Sequence, residues 1–222
     1  MTGADRRIAA VVFDIGETLR DDTGEFGAWA DWLGVPRHTF SAVLGAVRAR
    51  GGSTNDVFQY FQPGFDLEEQ RRLRAAAGID EQMGEADLYP DVRPALTQLR
   101  RLGLWIGVTG NQSGHCADLL RKLKLPVDAI HTSGDWGAEK PSPQFFDHVT
   151  AMTPHPPPTI LYVGDHWIHD VLAASAAGLQ TAFLRRGPWG YLRAAEPSTD
   201  RAPTFRIHGL AELPDLVRPQ PS

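Results

Sequence analysis

Alternation is the feature that most constrains this chain. Five short, apolar, β-rich runs, Ile8 to Phe13, Leu104 to Val108, Val127 to His131, Thr159 to Val163 and Thr181 to Leu184, are separated by segments with helical spacing. Runs this short and this largely apolar fit strands buried on both sides. Between the later runs, Cys116, Leu119, Leu120 and Leu123 recur at i, i+3, i+4 and i+7. Phe145, His148, Val149 and Met152 repeat that pattern, as do Ile168, Val171, Leu172 and Ser175. Strand and helix alternating in this way predict an α/β protein with a doubly wound parallel sheet.

The gap between the first two strands departs from that rhythm. It carries helical stripes, Phe26, Trp29, Ala30 and Leu33, then Phe40, Val43, Leu44 and Val47, but no convincing strand. Residues 20–88 are therefore expected to form a helical insert, with residues 1–19 and 89–222 forming the core domain. Gly51, Gly52 and Ser53, then Pro63 and Gly64, divide the insert into separate helices. Its aromatic residues, Trp29, Trp32, Phe58, Tyr60 and Phe61, are expected mostly to fill its own core, with one or two left to line a pocket. Pro90 should open a helix bearing Val92, Leu96 and Leu99, and Gly103 should end it. The proline-rich tail from Gly187 is expected to fray, although Thr204 to Ile207 and a following helical turn could dock on the sheet.

Composition removes several classes of function. With 22 Lys plus Arg against 27 Asp plus Glu, the net charge is −5, and no long basic block offers a face for nucleic acid. Arg71, Arg72 and Arg74 read as a solvated helix face. No apolar run approaches the roughly 20 residues that span a bilayer, so neither a membrane anchor nor a signal peptide is expected. The single cysteine, Cys116, cannot close an intrachain disulfide, which suits a reduced cytoplasm. Cys116 and His148 lie on apolar stripes and are expected in the core. Oligomeric state is left undetermined.

In an open parallel sheet, ligands bind outside the carboxyl ends of the strands. Asp14 ends the first run, Thr109 the second and Asp165 the fourth, while Lys140 lies in the loop after the third. Carboxylates, a hydroxyl and an ammonium meeting at one rim suit a phosphate ester. Carboxylates can hold a hard cation such as Mg2+, which shares its oxygen ligands with phosphate. The hydroxyl, backbone N–H groups and lysine can bind the remaining phosphoryl oxygens. Asp14 could then attack phosphorus and divide one difficult displacement into two easier ones.

Phe13-Asp14-Ile15-Gly16-Glu17-Thr18-Leu19, Val108-Thr109-Gly110-Asn111, Lys140-Pro141, and Gly164-Asp165 with Asp170 together resemble the four ordered motifs of the haloacid dehalogenase-like hydrolases. Each is weak alone; their order carries the resemblance, which spans roughly residues 8 to 184. The resemblance implies a Rossmann-like core with a helical cap at residues 20–88. It also implies Asp14 as nucleophile and Mg2+ ligand, and Gly16 as a backbone ligand of the metal. Thr109, Gly110 and Asn111 would bind the phosphoryl group, Lys140 would balance the charge, and Asp165 and Asp170 would complete the metal shell. The partner would be a small phosphorylated substrate.

Two positions depart from the family pattern. The general acid/base aspartate usual two residues after the nucleophile is Gly16, and the second motif reads Thr-Gly-Asn rather than a hydroxyl residue followed directly by Asn. Losing a general acid forfeits around 10²- to 10⁴-fold unless something replaces it. Glu17, Asp21, Asp22 and His166 are the candidates by proximity in sequence. Thr18 with Asp21 also fits a helix cap. His166 and His169 could suit zinc or nickel, but carboxylates around a phosphoryl group favour magnesium. A metal-free 2-haloacid dehalogenase and a non-catalytic phospho-ligand-binding protein stand as alternatives.

Overall fold

The computed structural model describes residues 7–194 and 203–218. Its strands are β1 (Ala10–Phe13), β2 (Trp105–Gly110), β3 (Ala129–Thr132), β4 (Ile160–Gly164), β5 (Gln180–Leu184) and β6 (Phe205–Ile207). They form one sheet in the order β3-β2-β1-β4-β5-β6, and every pairing is parallel. The chain first builds outward from β1 to β3, then returns to the other side of β1 for β4. The sheet thus reverses direction between β1 and β4, where such folds open a ligand crevice.

Between β1 and β2 lie α1 (Thr23–Trp32), α2 (Arg37–Ala49), α3 (Thr54–Phe61), α4 (Leu67–Ala76) and α5 (Val92–Arg101). Then follow α6 (Gly114–Lys122), α7 (Ser133–Trp136), α8 (Pro143–Ala151), α9 (Ala173–Ala176), α10 (Gly187–Leu192) and α11 (Leu213–Val217). The chain divides into two compact units, residues 22–83 with α1 to α4, and the remainder with the sheet.

In the sheet unit, α5 turns Val92, Ala95, Leu96 and Leu99 inward and stops before Gly103, whose φ of 79° suits a residue without Cβ. Ser142 caps α8 by accepting from Phe145 N–H, and Pro143 occupies the first helical position, where its missing N–H is harmless. Phe145, Phe146 and Val149 then pack on Ala10, Val12, Ile160 and Tyr162. Cys116 is buried on α6, as its stripe predicts.

Three expectations in this unit are corrected. His148 is exposed and stacks on Trp136, with ring centroids 5.1 Å apart, because its position on α8 points past the sheet. Ile168 is exposed too, while Trp167, Asp170, Val171 and Ala174 face inward. The cause is a π-helical turn over Trp167–Leu172, in which Val171 N–H reaches back to the His166 carbonyl and rotates the buried face. The tail forms α10 from Gly187 onward instead of fraying there, whereas β6 pairs with β5 and α11 follows, as the expected docking of Thr204 to Ile207 and its helical turn allowed, and Asp91 Oδ2 accepts from Leu210 N–H at 2.9 Å. The remainder of the tail expected to fray, residues 195–202 and 219–222, lies outside the described residues.

The helical unit has its own core of Trp29, Phe40, Leu44, Val57, Phe58 and Phe65. Phe58 stacks on Phe65 at 4.5 Å, and Trp29 meets Phe58 edge-on at 5.1 Å. Ser53 and Asp56 form a reciprocal cap on α3, and Asp66 caps α4. Tyr60 is exposed. The arginines on α4 divide: Arg71 and Arg72 are solvated, but Arg74 is buried, its guanidinium 4.0 Å from the Trp29 ring centroid and 3.7 Å from Glu25. Different faces of one turn of the same helix meet water and core, a distinction that a cluster of like charges hides.

Among the described residues, no helix is long and apolar enough to cross a membrane. Arg74→Ala should lower stability by roughly 2 kcal/mol, or about 4 to 8 °C in melting temperature, because it empties a buried cation–π contact. Arg71→Ala and Arg72→Ala should each stay within about 0.5 kcal/mol. Thermal denaturation of the three variants checks this, and equal effects would refute the assignment.

Candidate active site

The C-terminal ends of β1, β2 and β4 supply one cluster. Register pairs Phe13 with both Val108 and Val163, so Asp14, Thr109 and Gly164 follow as one row across three strands. Asp14 N–H continues the ladder to the Val163 carbonyl at 2.9 Å, which holds the aspartate at the strand tip.

Lys140 arrives from the loop before α8. Its buried ammonium donates to Asp14 Oδ1 at 2.5 Å and to Asp170 Oδ1 at 2.6 Å. Asn111 holds that loop from β2: its Nδ2 donates to the Lys140 carbonyl at 2.9 Å, and its Oδ1 accepts from Lys140 N–H at 2.7 Å. The Asn111 amide therefore grips the backbone of Lys140. Asp170 Oδ2 accepts from His166 N–H at 2.9 Å. Gly164 makes room for this, since a Cβ there would lie 2.2 Å from Asp170 Oδ2.

Asp14, Asp165 and Asp170 are all buried and present oxygens within 4.8 Å of one another. Three carboxylates facing one ammonium leave an excess of negative charge away from water, which a bound cation would neutralise. The donors are hard oxygens, so the residues present fit a hard divalent ion better than a soft one. The zinc or nickel alternative would need imidazole nitrogens. His166 Nδ1 instead accepts from Ile168 and His169 N–H, each at 3.2 Å, and caps the π turn.

Burial raises the Asp14 carboxyl to about 6 against the pull of Lys140, and neighbouring Asp170 adds to the rise. Burial alone would lower the Lys140 ammonium, but Asp14 and Asp170 outweigh it and hold the group well above its usual range. Burial and the Lys140 charge lower His169.

The loop after Asp14 is tightly wound. Leu19 and Arg20 N–H both reach the Ile15 carbonyl at 2.9 Å, and Glu17 takes a left-handed φ of 54°. Thr18 Oγ1 lies 3.4 Å from Asp14 Oδ2, so Thr18 serves the loop that follows Asp14, and Asp22 occupies the cap position of α1 without a side-chain capping bond to the helix. Arg186, just after β5, donates to the Thr18 carbonyl at 2.9 Å and to Asp91 at 2.5 Å. Its guanidinium also covers the ring of Tyr89, whose hydroxyl donates to Glu17 Oε2 at 2.6 Å.

Five residues around the site were not singled out from sequence: Tyr89, Asp91, Gln112, Tyr162 and Arg186. Gln112 packs its amide oxygen against Gly110, where a Cβ would lie 2.2 Å away. Tyr162 places its hydroxyl 3.2 Å from Thr109 Oγ1. A hydroxyl within the apolar run Ile160 to Val163 is the one signal that could have found Tyr162.

A pH dependence follows for the metal-free protein. The native Asp14 keeps its proton to about pH 6, whereas the unfolded carboxyl releases it near 3.8, so stability falls as pH rises across that window. Asp14→Asn should therefore be more stable than wild type at pH 7.5, by roughly 2 to 3 kcal/mol, and nearly equal at pH 4. Denaturation in EDTA at both pH values checks this; the same difference at each pH would refute it.

Comparison with known proteins agrees with this geometry. Residues 8–178 match the haloacid dehalogenase-like hydrolase family model. The chain is 33% identical to glyceraldehyde 3-phosphate phosphatase of Methanopyrus kandleri over 66% of its own length and 65% of that protein, so it spans just under two thirds of this relative. It is 33% identical to phosphoglycolate phosphatase 1 of Pseudomonas aeruginosa over 91% of this chain and 77% of that protein. The fold matches the magnesium-bound HAD-hydrolase YfnB of Bacillus subtilis with a TM-score of 0.70 at 19% identity, covering 95% of this chain and 99% of that one. With four motifs meeting at one end of a parallel sheet and the family model covering most of its length, the chain belongs to the haloacid dehalogenase-like hydrolases.

Proposed function

We propose that the chain is a Mg2+-dependent phosphomonoester hydrolase that works through an aspartyl-phosphate on Asp14, with a small phosphorylated metabolite as substrate. The observation that carries this reading is the Lys140 ammonium shared between Asp14 and Asp170, with Asp165 in the same buried cluster. The activities named for the two curated relatives, both phosphatases of small metabolites, support the substrate class.

Asp14, Asp165 and Asp170, with the Gly16 carbonyl, would hold Mg2+, which when bound supplies positive charge to the phosphoryl oxygens. Asp14 attacks phosphorus with one carboxylate oxygen; the P–O bond to the leaving group breaks, and its electron pair departs with that oxygen. Lys140 favours the ionised form of Asp14 against its burial and offsets charge as the phosphoryl group approaches. Thr109 Oγ1 and the backbone N–H groups at Gly110 and Asn111 bind phosphoryl oxygens. Water then attacks the aspartyl-phosphate, releasing orthophosphate and restoring Asp14. The helical unit takes the role of a substrate-selecting cap.

Gly16 brings no side chain to protonate the leaving oxygen. Glu17 directs its carboxylate to Tyr89, and His166 directs Nδ1 to backbone N–H groups, so neither presents those atoms as the replacement acid. Asp21 and Asp22 stand as the remaining candidates, and if neither serves, the leaving group departs with little assistance. Metal-free dehalogenation at carbon would not call for three buried carboxylates gathered within 4.8 Å of one another.

A phosphate-release screen over phosphorylated metabolites should show turnover that Mg2+ supports and EDTA removes. Asp14→Asn should reduce it by roughly three orders of magnitude or more. Halide release from 2-haloacids in EDTA, with no phosphate release, would favour the dehalogenase instead. Across aryl phosphates, kcat should fall steeply as leaving-group pKa rises. Gly16→Asp should flatten that slope by raising rates on the poorest leaving groups, by about tenfold or more; an unchanged slope would mean that another group already supplies the proton.

A further inference from the structure

Tyr162 lies in the middle of β4, fully buried beneath the site. Register places it in one row with Val12 and Gly107, two residues below the row of Asp14 and Thr109 and so on the same face of the sheet. Its ring crosses under β1, which separates β4 from β2, and brings its hydroxyl to Thr109 Oγ1 at 3.2 Å. Phe146 meets that ring edge-on at 5.4 Å, and Lys140 Nζ stands 5.6 Å from its centroid. A hydroxyl in so apolar a layer is costly to bury unless it is bonded, and Thr109 supplies the bond.

We propose that Tyr162 is a positioning residue for phosphoryl binding: its phenol donates to Thr109 Oγ1, so that the proton of Thr109 is directed at a phosphoryl oxygen. The inference rests on the phosphatase reading and deepens it, because it concerns how the same site is oriented toward its anion.

The direction of the bond follows from chemistry. A phenol is more acidic than an aliphatic alcohol, so between the two hydroxyls the tyrosine is the better donor and the threonine the better acceptor. Burial, together with Asp170 and Asp14, raises the Tyr162 phenol above its usual range and keeps its proton in place. Thr109 has a single hydroxyl proton. If it were given to Tyr162, threonine lone pairs would face the incoming anion. With Tyr162 as donor, the threonine is set before the substrate arrives, and no reorientation is needed during reaction. A phenylalanine at position 162 would keep the ring contacts with Phe146 and Lys140 but leave the threonine rotor unset.

The test is a double-mutant cycle of Tyr162→Phe and Thr109→Val, read by calorimetric affinity for orthophosphate in Mg2+ and by kcat/KM for phosphate release. Tyr162→Phe should weaken orthophosphate binding about tenfold in the wild-type background and have no further effect once Thr109→Val is present. Thr109→Ser retains the hydroxyl and should restore the full effect of Tyr162→Phe, which also serves if Thr109→Val does not fold. A merely structural tyrosine would weaken binding equally in both backgrounds. Equal losses, or no loss in wild type, would overturn the inference while phosphate release by wild type leaves the phosphatase reading standing. A wild-type protein that neither releases phosphate from any substrate nor binds orthophosphate would overturn both.

Discussion

The Lys140 ammonium, shielded from water and divided between Asp14 and Asp170, is the contact on which the surrounding structure depends. An unpaired charge could not remain there, because desolvation without a partner is prohibitive. Each group that approaches it is consequently held by another: Asp14 by the β4 ladder, Lys140 by the Asn111 amide, Asp170 by His166 N–H and the space left at Gly164. The excess of carboxylate over ammonium makes the cluster both receptive to a cation and costly to leave without one. Burial that raises Asp14 is the same burial that strengthens its electrostatic contact with Lys140.

The sheet order makes the cluster possible. β1 sits between β2 and β4, so the ends of three strands distant in sequence become neighbours about 4.8 Å apart. Around this row, later parts of the chain reach back. Arg186 secures the Thr18 carbonyl, and Asp91 secures both Arg186 and the backbone of Leu210. The described part of the tail is thereby tied to the loop that follows Asp14. The π turn has a similar effect: it lets Trp167, Asp170 and Val171 all face inward, placing one carboxylate in the cluster while its neighbours pack on the sheet.

Much of the core was legible because its signals are local. Apolar runs bounded by Asp14, Thr109 and Asp165 mark strands and their polar ends together, and a parallel sheet brings such ends to one side. The helical stripes of residues 22–83 were legible for the same reason, their apolar period being intrinsic to the segment. Arg74 was misread because its burial depends on Trp29 from another helix. Ile168 and His148 were misread because a helical period identifies a stripe without saying where the helix turns it. Tyr162 and Asn111 act through partners 53 and 29 residues away, and no spacing rule encodes such a pairing.

The sequence by itself determined the strands, the order of the motifs and the residue types available for chemistry, including the missing side chain at Gly16, since these depend on composition and near neighbours. Only the tertiary structure decided which carboxylates share Lys140, which hydroxyl touches Thr109 and which arginines leave the solvent. Those outcomes depend on distances across strands and on exclusion of water, and neither exists until the sheet has formed.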